Sequence, residues 1–571
     1  MHGTITIAVA QPQPPLPSEQ TVVALDTPST SSDHVPSSSR STSNVTSKPN
    51  QDRGQIPVNN TQMSIYNYAK SLRPLPINKS KELDEQIVKF IVKGYHAFSI
   101  VEEIEFKKMI KLMLPNYTLP TRKTVSKSLI PRLYVSTKEK VSNILKDADA
   151  VCLTSDGWTS LSNDSFMALT AHFIDKNTEL KSVMLGCIHF QERHTACNLS
   201  DFLKNEANEW GITNKITGIV TDNAANIVAA VQNTSWRHFP CLAHTINLAV
   251  QQSLNVLQNQ IDPVKAIVQY FKHSASADNR LKNTQTQFNL PPLKLKQSVV
   301  TRWNSTYDML VRILKIKDAV LSTLGVEQPR LNVLTPEDWH IIENCVEVLK
   351  FFHEVTEEMS AEKYVSISKV LVIVKIMKGH VRKHLNEGGP DKFMEFLFFL
   401  QDQINDRFRN IENNVLATES AFLDPRFKRH AFINKDKYEL CLKSIKAKLR
   451  ELMVKETTPL QVSAINRTPQ TSSSSMWADF DKEVENDIIK NPTAASLVEL
   501  DKYLNEPIIN RVDDPLKWWN DRRHIYPNLY VLMKRRLCIT ATSVPCERIF
   551  SKAGMTISER RIPTSSLVLV P

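Results

Sequence analysis

Residues 150–158 read AVCLTSDGW, and residues 216–226 read ITGIVTDNAAN. In each stretch a short apolar, β-prone run leads into an aspartate, Asp156 in the first and Asp222 in the second. A side chain at the end of a strand can project into a cleft at the sheet edge. The two stretches therefore predict a polar site beside a sheet. An aspartate at a strand end is also often a helix cap or a turn former, and that alternative stays open for each acid alone.

A third acid lies far downstream in a helical pattern. Glu547 belongs to the stretch CERIFS at residues 546–551. Mg²⁺ and Mn²⁺ are hard cations that prefer oxygen ligands, and two such ions can stabilise the attacking and leaving oxygens of a phosphodiester. Together the three carboxylates suggest a two-metal site that processes DNA.

Short β-prone runs surround both aspartates. They occupy residues 150–153, 166–173, 180–190 and 216–220 and are separated by turn or helix signals. Residues 195–210 are predicted to form the first helix that covers the sheet. Strands that first meander and then alternate with helices predict an α/β fold with a mixed sheet and packed helices.

Helical spacing dominates most of the remaining chain. Apolar residues recur at steps of three and four residues before residue 148 and in later runs at 311–324, 339–359, 365–385 and 393–408. Residues 1–61 are instead rich in Ser, Thr and Pro and carry too little apolar surface to offset chain entropy. We expect a disordered tail there and a flexible, Ser/Thr-rich loop at residues 457–475.

Composition limits the class of protein only loosely. The chain has 571 residues, with 71 basic and 60 acidic side chains and a formal charge of +11, which suits a polyanionic partner without requiring one. Its eight cysteines are scattered, as is typical of reduced intracellular thiols. No apolar run approaches the roughly 18 residues of a membrane helix, so we expect no membrane association.

Further motifs follow the acids in a specific order: CLAHTINL at 241–248, TRWNST at 301–306, LDPRFK at 423–428, WW at 518–519 and YP at 526–527. With the acid motifs, they resemble hAT-superfamily transposases and the host proteins descended from them, especially the BED-type zinc-finger group, over residues 65–565. The resemblance implies an RNase H-like fold whose Asp-Asp-Glu triad is interrupted by a large helical insertion. Here the triad would be Asp156, Asp222 and Glu547, holding Mg²⁺ or Mn²⁺. The intervals fit, since 222 − 156 = 66 residues can hold half of an α/β core and 547 − 222 = 325 residues leave room for the insertion.

The same resemblance assigns the regions of the chain. Residues 62–147 are similar to the small helical domain that contacts DNA, and residues 148–255 to the first part of the RNase H-like core. Residues 256–510 would be the helical insertion, and residues 511–571 the C-terminal dimerisation region that completes the core. We therefore expect DNA as a partner and a homodimer or higher homo-oligomer as the assembly.

Six residues are candidate DNA contacts. The resemblance implies that Trp303, after Arg302, stacks on a base flipped out beside the cleavage site; a buried tryptophan that anchors the insertion to the core is the alternative. Arg548 can bind a phosphate through two hydrogen bonds, with plain solvation as the alternative. Basic side chains in the first helical region are further candidates, unless that region is an ordinary solubilised bundle: Lys107, Lys108 and Lys111.

Three polar residues beside the acids are candidates for supporting the site. Cys241 and His244 are three residues apart at a predicted helix start, so both side chains can face the same way. A structural Zn²⁺ needs four ligands, and the sequence has no second close Cys/His pair, so we expect packing and hydrogen bonding and no structural zinc finger. Asn223 can orient the Asp222 carboxylate or cap the next helix.

Two departures from the family bear on function. BED-type relatives carry an N-terminal zinc finger, which residues 1–151 cannot build because the first cysteine is Cys152. The sequence also stops soon after Arg560 and Arg561, where relatives continue through a leucine-rich stretch, so we expect altered dimerisation.

The function that the resemblance implies is that of a transposase-derived nuclear protein that binds DNA, dimerises and retains a metal site for strand cleavage and transfer. The alternative is a domesticated, non-catalytic regulator of transcription or chromatin. Residues 534–536 (Lys-Arg-Arg) come nearest to a nuclear import cluster, with a solvated helix face as the alternative.

Overall fold

The structure is a computed structural model that describes residues 75–456 and 492–557, except residues 161, 328, 333, 362 and 363. The predicted tail at 1–61, the predicted loop at 457–475 and Arg560 and Arg561 lie outside the described residues. Contacts between residues divide the chain into two units. Of the described residues, the smaller unit contains 75–91 and 98–129, and the larger contains 92–97 and 130–557.

The smaller unit is helical. It contains α1 (Ile77–Lys93, whose last two residues belong to the larger unit), α2 (Ile104–Met113) and the short α3 (Arg122–Thr124), with a 3₁₀ turn between the first two. Tyr117 donates a hydrogen bond to the Asp84 carboxylate at 2.5 Å, and the Phe90 and Phe106 rings stack at 5.9 Å. These contacts join segments distant in sequence and close the unit on itself.

The larger unit is built on a five-stranded mixed sheet. Its strands are β1 (Val151–Thr159), β2 (Ser165–Ile174), β3 (Leu180–His189), β4 (Ile216–Thr221) and β5 (His238–Pro240), in the order β3-β2-β1-β4-β5. The first three strands are antiparallel neighbours, while β4 pairs in parallel with both β1 and β5. Parallel neighbours need crossover connections, which helices supply here.

Alternate residues of the strands face two different cores, as the two-residue period of a strand requires. On β1, Leu153 packs into a core with α4 (Ile130–Asp147), α5 (Ala196–Glu209) and α6 (Ala225–Gln232). Cys152 next to it faces the opposite core, which continues into the long helical part of the chain. Both faces of the sheet are therefore covered, which explains the continuous burial of the first five residues of β1 and of β2 after its first residue.

Helices fill the described chain after β5. The first ten are α7 (Leu242–Leu254), α8 (Gln258–His273), α9 (Ala275–Gln287), α10 (Trp303–Lys315), α11 (Lys317–Glu327), α12 (Pro336–Met359), α13 (Val370–Glu387), α14 (Asp391–Arg407), α15 (Val415–Leu423) and α16 (Lys435–Glu456). The last four are α17 (Pro492–Asn505), α18 (Pro515–Asp521), α19 (Pro527–Leu537) and α20 (Val544–Ile557). The fold is thus mixed α/β and mostly helical, and none of the helices in the described ranges is long and apolar enough to cross a membrane.

A clasp of buried polar contacts, centred on Lys428, joins the LDPRFK motif to the chain beyond residue 492. Lys428, which has a positive φ of 46°, donates to the carbonyls of Tyr503 at 2.6 Å and Glu506 at 2.7 Å. The Trp519 indole N–H donates to the carbonyl of Leu423 at 2.9 Å. These bonds hold α17 and α18 against the end of α15.

Candidate active site

Asp156 lies on β1, and Asp222 directly follows β4, the parallel neighbour of β1. Thr154 of β1 pairs with Val220 of β4, so each aspartate follows a paired residue by two positions. Adjacent strands run ~4.8 Å apart, which brings the two carboxylates together. β1 continues to Thr159, so Asp156 lies within the strand and not beyond its end as predicted.

Local hydrogen bonds orient both aspartates. The Asp156 carboxylate accepts the Gly157 backbone N–H at 2.9 Å, and the Asp222 carboxylate accepts the Ala224 N–H at 3.3 Å in the turn that leads to α6. Asp222 is therefore a turn former, which was the alternative interpretation of its sequence. Its role in the turn does not exclude its carboxylate from the site.

Glu547 lies in the first turn of α20. The preceding residue, Cys546, holds this turn against β1. Cys546 is fully buried, its Sγ is 3.2 Å from the Thr154 hydroxyl, and its thiol donates to the Thr154 carbonyl at 3.4 Å. One turn further, Phe550 stacks on Trp158 with 5.8 Å between ring centroids. These contacts fix α20 across β1 on both sides of Asp156.

The pKa of Asp156 reports the resulting electrostatics. It is raised from its ordinary value to about 7, first by burial and then by the negative charges of Asp222 and Glu547. The Gly157 N–H and the Arg302 guanidinium act in the opposite direction. The effect of both charges on Asp156 places the three acids in one neighbourhood, although 391 residues separate the first from the last (547 − 156).

Arg302 brings a positive charge to these acids. Its Nη2 lies 3.1 Å from the Glu547 carboxylate, and the side chains are 69% and 42% exposed. An exposed pair of this kind contributes about 0–1 kcal/mol, so Glu547 can exchange Arg302 for another cation at little cost.

Three carboxylates suit a hard divalent cation in their donor chemistry. Within the described part of the chain, however, no three His, Cys, Asp or Glu side chains are arranged to hold one ion. Glu547 would have to leave Arg302 to complete such a ligand set. The donor types therefore fit Mg²⁺ or Mn²⁺, while the observed rotamers are those of a charge-paired site.

The supporting residues link the site to α7. Cys241 is buried, its N–H donates to the Thr221 carbonyl at 2.8 Å, and its thiol accepts the Ser543 N–H at 3.3 Å. The Asn223 side chain donates to the Thr245 hydroxyl at 2.9 Å. His244 is half-buried on the same helix. Cys241 thereby connects the end of β4 with the segment that precedes Glu547.

Trp303 does not offer the exposed indole that base stacking needs. It is 2% exposed, begins α10 and lies 6.1 Å from the Tyr307 ring, so the alternative of an anchoring tryptophan describes this structure. Its exposed neighbour Arg302 remains available to a polyanion. The sequence alone could not distinguish the two cases, because burial depends on the helices that pack around the indole.

The remaining candidates are dispersed. Lys107, Lys108 and Lys111 lie on α2 of the smaller unit, where Lys108 pairs with Glu105 at 2.8 Å. Arg548 is exposed on α20, and its guanidinium donates to the Ser360 carbonyl at 2.9 Å.

The basic run at 534–536 is neither a free import cluster nor a fully solvated face. Arg536 is buried and donates to Glu419 at 2.7 Å, and Lys534 pairs with Asp149. Two of its three basic side chains are therefore held by acids.

Several residues that shape the site have no distinctive sequence signal. Thr154 and Thr170 are cross-strand partners whose hydroxyls hydrogen-bond beneath Asp156. Asn247 and Gln251 of α7 hold the turn before Trp303 through its backbone. Asn247 and Gln251 could have been noticed only as a polar pair four residues apart on a largely apolar helix.

Comparison with known proteins gives matches along most of the chain. Three family models match: the ZBED1 RNase-like domain at residues 154–238, the ZBED1 RNase-like helical domain at 239–348 and the hAT family C-terminal dimerisation region at 499–569. The chain is a homologue of hAT transposases and BED zinc-finger proteins. The matched segments include all three acids of the candidate hAT site.

The individual relatives are distant in sequence. A putative AC transposase of Zea mays is 27% identical over 506 residues, which cover 82% of this chain and 62% of the relative. Zinc finger BED domain-containing protein 4 of Homo sapiens is 23% identical over 496 residues, covering 83% and 41%. Putative transcriptional regulator tpeD of Talaromyces stipitatus is 25% identical over 532 residues, covering 84% and 59%. The chain thus spans less than two thirds of the length of these relatives.

Proposed function

We propose that this chain is a transposase-derived nuclear protein of the hAT type that binds DNA, self-associates and uses Asp156, Asp222 and Glu547 to cut and transfer DNA strands. The observation that carries the proposal is the convergence of the three acids: each aspartate follows the Thr154–Val220 pair of β1 and β4 by two positions, and Cys546, next to Glu547, bonds to Thr154 of β1. The sheet order β3-β2-β1-β4-β5 and the helical stretch between β5 and α20 support an RNase H-like core with an inserted helical domain.

The chain's own residues would position the DNA. Asp156, Asp222 and Glu547 would hold Mg²⁺ or Mn²⁺, which when bound stabilises the charge that develops on the attacking and leaving oxygens. Arg302, released from Glu547, can pair with a phosphate beside the reacting one. Cys546 and Phe550 keep Glu547 over β1, and Cys241 ties the end of β4 to the same segment.

Self-association and DNA binding complete the proposal. The match to a dimerisation region at residues 499–569 supports a homo-oligomer formed through the C-terminal part. Lys107, Lys108 and Lys111 would add phosphate contacts from the smaller unit. A nuclear location follows from the DNA partner and from the type of the relatives.

The test is Mn²⁺-dependent cleavage of DNA from the gene's own genomic flanks, with Asp222→Asn as the variant. This substitution removes a carboxylate charge with little change in volume. We expect cleavage by the wild type and loss of at least about a hundredfold in the variant, as for other single groups that stabilise developing charge. Cleavage that survives in Asp222→Asn would show that the triad is misassigned.

A non-catalytic regulator of transcription or chromatin is the second candidate. It is favoured by relatives named as a zinc finger BED protein and a putative transcriptional regulator. If wild type and Asp222→Asn both bind the DNA with equal affinity and neither cuts it, this second function is the better one.

A further inference from the structure

A rigid turn with an apolar tip, which we name the valine turn, precedes Trp303. It consists of Val299, Val300, Thr301 and Arg302 and is closed by the Arg302 N–H donating to the Val299 carbonyl at 3.1 Å. Val300 is 94% exposed and Val299 is 53% exposed. Covering these two adjacent valine side chains would be favourable by ~25 cal/mol for each Å² of apolar surface removed from water.

Hydrogen bonds from α7 and Ser305 hold much of the backbone of the valine turn. Gln251 donates to the Val300 carbonyl at 2.6 Å, and Asn247 donates to the Thr301 carbonyl at 3.2 Å while accepting the Trp303 N–H at 3.0 Å. Ser305 accepts the Val299 N–H at 2.7 Å. Because most of the turn's carbonyl groups accept hydrogen bonds within the protein and valine is stiff about χ1, a ligand would meet a preformed apolar point with little entropy left to lose.

The valine turn lies beside the candidate active site. Arg302 is its last residue, and the Arg302 guanidinium contacts Glu547 at 3.1 Å. Val300, at the tip, precedes Arg302 by two residues, and consecutive Cα atoms are ~3.8 Å apart. The tip therefore lies close to the residue that contacts Glu547. The next residue, Trp303, is buried and anchors the turn to the core, so the tip would keep its position when it contacts a ligand.

We propose that the valine turn is a wedge that inserts Val299 and Val300 between neighbouring base pairs of duplex DNA next to the scissile phosphate. Apolar side chains that enter a base step unstack it and kink the duplex. The inference rests on the proposed function in taking DNA as the partner. Residues 291–302 contain Lys294, Lys296 and Arg302 and no acidic residue. Lys296 pairs with Asp308 and Arg302 with Glu547, but both pairs are exposed, so a phosphate can replace the acid at little cost.

A protein partner fits the valine turn less well. A standard protein interface buries about 800 Å² on each side, far more than two valine side chains can supply. A base step is a target of the right size, because each inserted side chain replaces the contact between two bases. The turn would thereby supply next to Arg302 the apolar contact with bases that buried Trp303 cannot make.

The experiment uses the full chain and duplex DNA from the gene's flanks, with 2-aminopurine placed at successive positions. Its fluorescence rises when the base is unstacked, and fluorescence anisotropy on the same samples measures affinity. The test variant is V299S/V300S, and the control is V326S, because Val326 is 79% exposed on α11. Both changes are at exposed positions and leave the core intact.

We expect the wild type and V326S to give a severalfold rise at one position of the duplex, and V299S/V300S to lose it. The affinity of V299S/V300S should fall by about tenfold or less, with an unchanged salt dependence, since no phosphate contact is removed. A fluorescence rise equal to that of the wild type in V299S/V300S overturns the proposal. So does a wild type that binds the duplex without any rise, although the proposed function then stands.

Two further outcomes separate the partners. If the wild type binds no DNA at moderate salt, the proposed function and the wedge both fail. If V299S/V300S keeps the fluorescence rise but changes the oligomeric state in sedimentation, the valine turn contacts a second copy of the chain, and the wedge is rejected.

Discussion

The carboxyl group of Asp156 follows five buried residues of β1 and faces two further acids. Its pKa of about 7 lies above the ordinary value, so the folded protein binds this proton more tightly than the unfolded chain does. The ionised carboxylate therefore lowers stability between the ordinary pKa and about 7, and the full penalty is present above pH 7. This penalty is typical of a site shaped for function rather than for stability.

Asp156→Asn is expected to stabilise the metal-free protein at pH 8 by about 1–2 kcal/mol, because an amide removes the repelled charge. At pH 5 the gain should be smaller, since Asp156 is then protonated in the folded protein and only the cost of taking up that proton on folding remains; below the ordinary pKa of 3.8 the gain should vanish. Urea unfolding in EDTA at both pH values measures this difference in stability. Asp201→Asn, at an exposed position on α5, is the control. Equal effects of Asp156→Asn at the two pH values would mean that the acids do not share one site.

His172 carries a second pH dependence. It is fully buried on β2, its Nε2 lies 2.8 Å from the Thr170 hydroxyl, and its Nδ1 has no hydrogen-bond partner among the described residues. Burial lowers its pKa to about 3. Because the folded state cannot take up the proton, stability is lost as the pH falls below the unfolded-state value of about 6.5.

Lowering the pH from 7.5 to 5 should therefore cost the wild type about 2 kcal/mol through His172 alone. His172→Leu should lack this loss, whereas His430→Leu, at an exposed position, should retain it. Unfolding free energies of the three proteins at both pH values decide the matter. If His172→Leu and the wild type lose the same free energy of unfolding between pH 7.5 and 5, a group other than His172 causes the loss.

At the scale of elements, α20 determines where Glu547 lies. Phe550 is 7% exposed and stacks on Trp158, and Cys546 bonds to β1 on the other side of Glu547. Phe550→Leu should lower the free energy of unfolding by about 1–2 kcal/mol, while Phe398→Leu, at a 57% exposed position, should change it by less than about 0.5 kcal/mol.

The coupling between α20 and the acids is measured by combining Phe550→Leu with Asp156→Asn. If Phe550 holds Glu547 near Asp156, the stabilisation from Asp156→Asn at pH 8 should shrink by about 0.5 kcal/mol or more in the Phe550→Leu background. Strict additivity would instead mean that Phe550 only fills the core.

Elements with a clear period could be predicted, and those defined by tertiary contacts could not. β2 and β4 match the runs predicted at 166–173 and 216–220 to within one residue at each end, because both are continuous apolar strands. β5 has three residues, too few for a period, and it exists only because β4 offers a parallel edge. The predicted run at 311–324 is two helices that meet at Ile316.

The site shows the same division. Asp156, Asp222 and Glu547 could be selected because acids in those settings also resemble a family, but their convergence needs contacts over hundreds of residues. The depth of Trp303 and the exposure of Val300 could not be read from TRWNST and its neighbours. Both follow from how α7 and α10 pack, which local spacing does not encode.

At the scale of the whole molecule, the clasp around Lys428 decides whether the C-terminal helices stay with the sheet. Lys428 is 4% exposed, lies over the Tyr503 ring at 4.4 Å and donates to two carbonyls at the C-terminal end of α17. Burial lowers the pKa of Lys428 to about 8, and the negative charge of Glu506 partly offsets this effect by raising the pKa. The ammonium is therefore still charged at neutral pH. A charged donor suits the negative end of a helix.

Lys428→Met should cost about 2–3 kcal/mol, because the two carbonyls lose a charged donor in a buried setting. Lys435→Met, at an exposed position on α16, is the matched control and should be nearly neutral. Since α17 and α18 are held through the clasp, hydrogen exchange should rise in both helices well before it rises in β2. A uniform rise across the larger unit would show that the C-terminal helices and the sheet unfold as one, and the clasp would then contribute to stability without controlling the position of Glu547.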